Sequence, residues 1–464
     1  MIHTYTKKLI SFRTLVLSFC VLVLILIGLF IHLNAQKSLM VKDFQLNGET
    51  HNAEFNNQLI KITFNRPLRI ESEDYLLIQP EISFNQFVQG KVLTIQFNKS
   101  LDFNTDYVIK IGEGLVDIYG NSYQGVFEFR TKDLMMYFLT KNVDNQDTIS
   151  AFSFSQKSAK EIIKGENIYS YNIKGSQLVL IEEINNFFKA TLHDLESDKA
   201  IDISGRSFNI PQADFSPLTG TFYFLGQRVT FEGDFVLPQQ GKQLFRYDFT
   251  DNTNQVVSDI DVTLDIEQFI IDPTENYALI KDSYNSLYYL LDLNDKSTIP
   301  IGRFIDSGGF SESGDKIIFS KIEQDFLSFP HIAYVDSNKD ETLITTKDEY
   351  SFDGSFAGDL ILSARKHKDL DESQRIMKVV ATREDEVVFE ITDEQLSFEI
   401  PKADPTFKFV TVEAYTIDDF KDFSNQRVYN SFFLKPKTAK IFIYEIDSGE
   451  LLDYNLNGIE IKWN

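Results

Sequence analysis

Beyond residue 40 the chain reads as short runs in which apolar and polar positions alternate, each closed by Gly, Pro, Asn or Asp. Leu59-Ile60-Lys61-Ile62-Thr63-Phe64, ended by Asn65-Arg66-Pro67, sets the pattern. A period of two sends alternate side chains to a buried face and to water, which predicts strands rather than helices. Further runs are Lys91–Phe97, Tyr107–Ile111 and Gly125–Thr131. Over 41–133 such runs predict two sheets packed face to face as a sandwich.

The N-terminus breaks this rhythm. Leu15 to Leu33 reads LVLSFCVLVLILIGLFIHL, without an Asp, Glu, Lys or Arg. A helix rising about 1.5 Å per residue over that length spans roughly a bilayer's hydrocarbon core. Lys7, Lys8 and Arg13 precede the run, so the positive-inside rule predicts a cytoplasmic N-terminus over 1–14 and an extracytoplasmic remainder. The expectation is an uncleaved single-pass anchor at 15–33, at a cell membrane. A cleaved signal peptide, ending near Leu33-Asn34-Ala35, is the competing reading.

From 134 to 464 a looser unit recurs: a strand, a turn written like S-P-x-x-G, a strong strand, then a paired strand and a polar loop. The clearest copies start at Ser216-Pro217, Asp272-Pro273 and Ser311-Glu312-Ser313-Gly314. Weaker ones are Asp353-Gly354-Ser355 and Asp404-Pro405. One small sheet cannot bury both of its faces, whereas sheets stacked around a ring can, so repetition predicts a β-propeller of about seven blades. Met135–Leu139 and Ile149–Phe154 look like middle and outer strands lacking an inner partner, and Gly458–Trp463 is a lone strand at the other end. These are expected to share one blade and close the ring.

Composition narrows the function. With 42 Phe and 20 Tyr the chain favours sheets, whose cross-strand positions suit flat rings. A formal charge of -24 and no Lys/Arg cluster argue against nucleic acid as a partner. Cys20 is the only cysteine, so there is no intrachain disulfide and no Cys-based metal site. The six histidines form no H-E-x-x-H or H-x-H pattern, and no P-loop, G-x-S-x-G or G-x-G-x-x-G occurs. Turn glycines account for Gly308-Gly309. Asp336–Glu341 lacks the spacing of a calcium loop, and Asp369–Glu372 reads as solvated. No catalytic residue, cofactor or metal is therefore expected.

Two resemblances add to this. The segment Leu93 to Thr131 is similar to the second half of the bacterial Ig-like domain of S-layer proteins. Leu101 precedes a polar turn and Tyr107; Asp117, Gly120 and Asn121 match its D-x-x-G-N turn, and Phe129-Arg130-Thr131 its closing F-x-T. Ile62 to Leu68, ITFNRPL, matches its first core strand. The repeated turn resembles the S-P-D-G motif of TolB-type and related WD40-like propellers. Both imply presentation or recognition rather than chemistry.

The expected architecture is thus all-β: an Ig-like sandwich at 41–133 and a propeller at 134–464 behind one transmembrane helix. The expected function is a membrane-anchored, non-enzymatic scaffold that binds a protein or a cell-envelope component. Two alternatives stand beside it: a propeller hydrolase acting on peptides or envelope glycans, and a subunit of an envelope assembly or secretion complex. Tyr415, Asp418, Asp419, Phe420, Asp422 and Phe423 form the candidate partner-binding loop, because aromatic and acidic residues mix there within an expected blade loop.

Overall fold

The computed structural model describes the chain except residues 1–14, 30–37, 47–51, 54–58, 99–100, 143–145, 186, 206, 217–218, 233–234, 249–252, 258–264, 312, 323–329, 337, 346–348, 359, 368–376, 384–385, 394–395, 417–418, 420–425, 431–432, 437, 447 and 464. Residues 15–29 form an α-helix whose side chains are almost all exposed. No helix among the described residues is long and apolar enough to cross a membrane, and the rest of the expected span, 30–33, lies outside them. The chain divides into two compact units, Met1–Asp133 and Leu134–Asn464.

In the first unit two four-stranded sheets face each other. One orders Val41–Leu46, Leu59–Phe64, Val92–Phe97 and Phe84–Gln89; the other orders Asn52–Ala53, Gly125–Thr131, Asp106–Ile111 and Leu76–Gln79. The alternation seen in the sequence is the alternation of burial: Ile60, Ile62 and Phe64 are buried, and they meet Leu93, Ile95, Tyr107, Ile109 and Phe129 in one core. The D-x-x-G-N turn is built around Asp117, which is fully buried. Its carboxylate accepts from the backbone N–H of Tyr119 and of Asn121, at 2.8 and 2.9 Å, and from the Asn121 amide and Arg66 Nη1, at 2.9 and 2.6 Å. Gly120 takes φ +84°, which a side chain would strain. ITFNRPL thus contributes Arg66 as counter-ion to the turn as well as a core strand.

The second unit consists of seven successive antiparallel sheets, six of four strands and one with an added fifth. In chain order from the inner strand outward, blade 2 is Ile168–Lys174, Gln177–Ile184, Phe187–Asp194 and Lys199–Asp202. Blade 3 is Phe208–Phe215, Phe222–Glu232, Gln243–Asp248 and Thr253–Val256, and blade 4 is Ile266–Ile271, Tyr277–Asp282, Leu287–Asp292 and Thr298–Arg303. Blade 5 is Asp306–Phe310, Lys316–Ile322, Pro330–Asp336 and Glu341–Leu343. Blade 6 is Glu349–Ala357, Leu360–His367, Met377–Arg383 and Glu386–Asp393, and blade 7 is Leu396–Ala403, Phe409–Thr416, Lys440–Glu445 and Leu451–Asn457.

Blade 1 joins the two ends of the unit: Ile459–Trp463 is its inner strand, paired antiparallel with Met135–Thr140, then Gln146–Ser153 and Ser158–Glu166. The expected closure is present. One detail differs, because Gln146–Ser153 is the third strand and Ser158–Glu166, SAKEIIKGE, lies outside it. That outer strand faces water along most of its length and so carries no apolar signature.

Apolar clusters sit between neighbouring blades. Val179, Ile181 and Leu192 pack on Phe222, Phe224 and Phe245 between blades 2 and 3, and Leu362, Val379 and Phe389 on Val410, Val412 and Tyr444 between blades 6 and 7. Blades 7 and 1 meet through Phe409 against Phe154 and Tyr454 against Phe152, each pair with ring centroids 4.8 Å apart. The sheets therefore form a ring.

Two readings of glycine need correction. Asp353-Gly354 is not a turn but lies inside the inner strand of blade 6, whose turn follows at Gly358, φ +62°. Gly308-Gly309 likewise belongs to the inner strand of blade 5. A Cβ on Gly308 would stand 1.7 Å from the Gly354 carbonyl oxygen, so these glycines let two inner strands approach.

Candidate functional site on the propeller

In a four-stranded antiparallel blade, the first-to-second and third-to-fourth turns fall on one face of the ring. The second-to-third loop and the connection to the next blade fall on the other. The short connections Asn167 and 304–305 start the inner strands of blades 2 and 5 on the face where the preceding blade ends. The two faces are built differently.

Among the described residues the first face carries tight turns between the first and second strands, at 175–176, 272–276 and 404–408 and around Gly220, Gly314 and Gly358. The opening residue of the repeated motif is buried and holds the turn. Asp404 accepts from the backbone N–H of Thr406, Lys408 and Phe409, at 2.7, 2.8 and 2.7 Å. Asp272 does the same for Asn276 and Tyr277, at 3.0 and 2.8 Å. Ser216 and Ser311 occupy the equivalent buried positions with a shorter side chain. The chain enters the unit on this face at Leu134.

The opposite face carries the excursions. Blade 3 extends its second strand to Glu232 and pairs Val229–Glu232 with Phe235–Pro238, a hairpin standing beyond the blade. Blade 7 interposes a second hairpin, Gln426–Asn430 with Phe433–Pro436. Near the blade 3 hairpin, Phe231 packs edge-on against Phe187 with centroids 5.4 Å apart, and Tyr169 lies 4.7 Å from Phe188. Tyr169, Ile184, Phe231 and Leu237 remain 38–48% exposed.

Of the expected binding loop, Tyr415 and Asp419 are described. Tyr415 belongs to the second strand of blade 7 and is fully buried, its hydroxyl donating to Glu413 Oε2 at 3.1 Å. It is a core residue, not a contact residue. Asp419 is half-buried and turns back to accept from the Thr416 backbone N–H at 2.6 Å and its hydroxyl at 2.8 Å. Asp418, Phe420, Asp422 and Phe423 lie outside the described residues. Within 336–341, Asp336 accepts from the backbone N–H of Asn338 and Asp340, at 2.9 Å each, as a turn cap. Among the described residues no group of three or more His, Cys, Asp or Glu is placed to hold a metal ion.

Around the axis, side chains of one inner strand reach the backbone of another. Tyr171 donates to the Glu460 carbonyl at 2.8 Å, Asn172 to Ala213 at 3.1 Å, Ser355 to Pro401 at 2.8 Å and Lys402 to Ile461 at 2.8 Å. The Gln212 amide both donates to and accepts from the Phe269 backbone, at 2.8 and 3.0 Å. These bonds fix neighbouring blades against each other. They also mark a charged sector that the sequence does not announce. Burial, then the nearby Lys462 ammonium, pushes Lys402 down to about 8. Burial raises Asp214 against the pull of Lys462, Lys402 and Lys174. Tyr171 is held well above its ordinary range by burial and by Glu460 and Glu413.

Residues 46–131 match the model of the bacterial Ig-like domain family. Comparison with curated proteins gives no match. Among solved structures the chain is similar to TolB from Acinetobacter baumannii, 12% identical over 69% of this chain and 80% of that one, with a TM-score of 0.40. A putative TolB from Agrobacterium tumefaciens is 12% identical over 72% of this chain and 98% of that one, with a TM-score of 0.39. An oligogalacturonate lyase from Vibrio parahaemolyticus is 10% identical over 69% and 84%, with a TM-score of 0.44. The first unit thus carries the match to the bacterial Ig-like domain family, and the second is a β-propeller. Its ring rests on the strand order and blade contacts described above.

Proposed function

We propose that the chain is a membrane-anchored, extracytoplasmic, non-enzymatic binding protein that recognises a protein or envelope partner with the loop-bearing face of its propeller. The asymmetry of the two faces carries this reading. Among the described residues one face carries self-capped tight turns, while the other bears both hairpins, with Tyr169, Ile184, Phe231 and Leu237 exposed together near that of blade 3. Aromatic and aliphatic side chains held in water on a rigid sheet scaffold are the composition of a recognition patch. An anchor is supported by the apolar run 15–33, its exposed helix at 15–29 and the preceding Lys7, Lys8 and Arg13.

The test is affinity capture from native membranes with the full-length chain and with Phe231→Ser combined with Leu237→Ser. A stoichiometric partner retained by the parent and lost by the variant, with unchanged melting, supports the reading. Equal retention by both contradicts it. Hydrolysis of peptides or envelope glycans by the purified chain, abolished by substituting carboxylates near the axis, would establish the hydrolase alternative in its place.

A further inference from the structure

A sheet ends in strands whose outward N–H and C=O groups have no ladder partner, and folded proteins guard such edges with charge, proline, bulges or shortness. In the Ig-like unit three of the four terminal strands are guarded. Val41–Leu46 carries Lys42 and Asp43 and a register shift between Val41 and Asp43. Leu76–Gln79 is four residues long and runs into Pro80, and Asn52–Ala53 is two residues long. The fourth, Phe84–Gln89, has none of these devices. Among the described strands it pairs only with Val92–Phe97, in unbroken register, and residues 82–90, ISFNQFVQG, contain no Asp, Glu, Lys, Arg or Pro. In a chain that is 25% charged, this is an open edge.

The hydrogen-bond phase of the strand defines what it offers. The Asn98 N–H donates to the Ser83 carbonyl at 3.1 Å, so the odd-numbered residues are those bonded to Val92–Phe97. The backbone N–H and C=O of Phe84, Gln86 and Val88 therefore point away from the sheet. The next carbonyl in this row, that of Gly90, already accepts from the Leu68 N–H at 2.8 Å and closes the row. Phe84, Gln86 and Val88 are half-buried on the core side, whereas Phe87 stands 53% exposed on the outer face. Gln86 Oε1 is buried and accepts no hydrogen bond among the described residues.

Of the strands that could lie along this edge, its own copy fits without remainder. About a two-fold axis at Gln86, Phe84 lies opposite Val88 of the second copy and Gln86 opposite Gln86 of the second copy, with core-side residues facing core-side residues. Each opposed pair exchanges two backbone bonds, so every outward group in the row is used. The facing Gln86 amide brings N–H donors beside the unpartnered Oε1. A chain with a formal charge of -24 repels its copy over most of its surface, and this edge brings no charge into the contact. We propose that the Ig-like unit pairs with a second copy of this chain through antiparallel Phe84–Gln89 strands, extending one sheet across both. The inference is independent of the propeller face and of the anchor.

The test uses the detergent-solubilised full-length chain carrying Cys20→Ser. Sedimentation equilibrium is expected to give a protein mass that rises with concentration toward twice 53.5 kDa. Phe87→Lys places a charge on the edge, and Val88→Pro removes an outward donor that the ladder to Val92–Phe97 does not use. Both are expected to return the mass to 53.5 kDa with the melting transition of the Ig-like unit retained. Opposed Cα atoms at a hydrogen-bonded pair lie about 5.5 Å apart, within disulfide reach. Mild oxidation of Gln86→Cys should therefore yield a covalent dimer, while Gln45→Cys on the guarded edge Val41–Leu46 should not. A dimer that survives both edge variants, or equal crosslinking from positions 45 and 86, overturns the proposal. So does a parent chain at 53.5 kDa throughout, even one that takes a foreign extended peptide along this edge.

Discussion

Ring closure makes the sharpest demand on the fold. Ile459 and Ile461 of the inner strand of blade 1 are both fully buried, and this strand supplies the only ladder joining the C-terminal end of the unit to Met135–Thr140 among the described residues. Cutting a buried isoleucine back to alanine costs about 2–5 kcal/mol. The two positions lie on one short strand, so the double variant Ile459→Ala/Ile461→Ala is expected to lose roughly 4–8 kcal/mol, somewhat less than the upper sum. That is a large fraction of the roughly 5–15 kcal/mol typical of a folded domain. At about 2 °C per kcal/mol, the lower end for large domains, the propeller transition should fall by about 8–16 °C. Differential scanning calorimetry of the parent and the double variant reads this directly, with the transition of the Ig-like unit as internal reference. Leu451→Ala, at a position 42% exposed, is the control and is expected to shift the propeller by no more than about 1–2 °C. A double variant melting within about 2 °C of the parent would refute closure as a source of stability.

Two further outcomes follow from buried charge. Asp117→Ala removes four hydrogen-bond acceptances and leaves Arg66 buried without its counter-ion, so the Ig-like unit should lose about 3–5 kcal/mol, measured by urea denaturation, with the propeller unaffected. Lys402, held near 8 when folded and higher when unfolded, binds fewer protons folded than unfolded between those values. The cost of burying its charge is therefore fully present below pH 8 and relieved as pH rises above it. Urea midpoints should rise from pH 7.5 to 9.5, below the range where the buried tyrosines oppose the trend, and Lys402→Met should flatten that rise. An equal slope in the variant would assign the dependence to other groups.

Sequence pattern carried most of the fold because one-sided burial writes itself as alternation. Leu59–Phe64 shows it, and Asp117, Gly120 and Asn121 announce a turn that only such residues complete. Where burial is two-sided or absent the pattern fails. Phe409–Thr416 is buried along nearly its whole length, so Tyr415 looked like the edge of a loop. Ser158–Glu166 is polar because it is outermost. Asp353-Gly354 imitates the repeated turn, yet its glycine answers a neighbouring strand. The cluster of Lys174, Asp214, Lys402 and Lys462 was beyond reach, since its members are far apart in sequence and only the ring brings them together. The hairpin at Val229–Pro238 and its exposed Phe231 and Leu237 could have been suspected from the unusually long strand Phe222–Glu232, which outruns the other second strands.

The central claim is that recognition belongs to the loop-bearing face. It is tested most directly by placing a photoreactive phenylalanine analogue at Leu237 on that face, or at Leu451 beside the tight turns, and irradiating the full-length chain in its native membrane. A discrete crosslinked partner from position 237 and none from position 451 is the predicted result. The same partner captured from 451 but not from 237 would contradict the account.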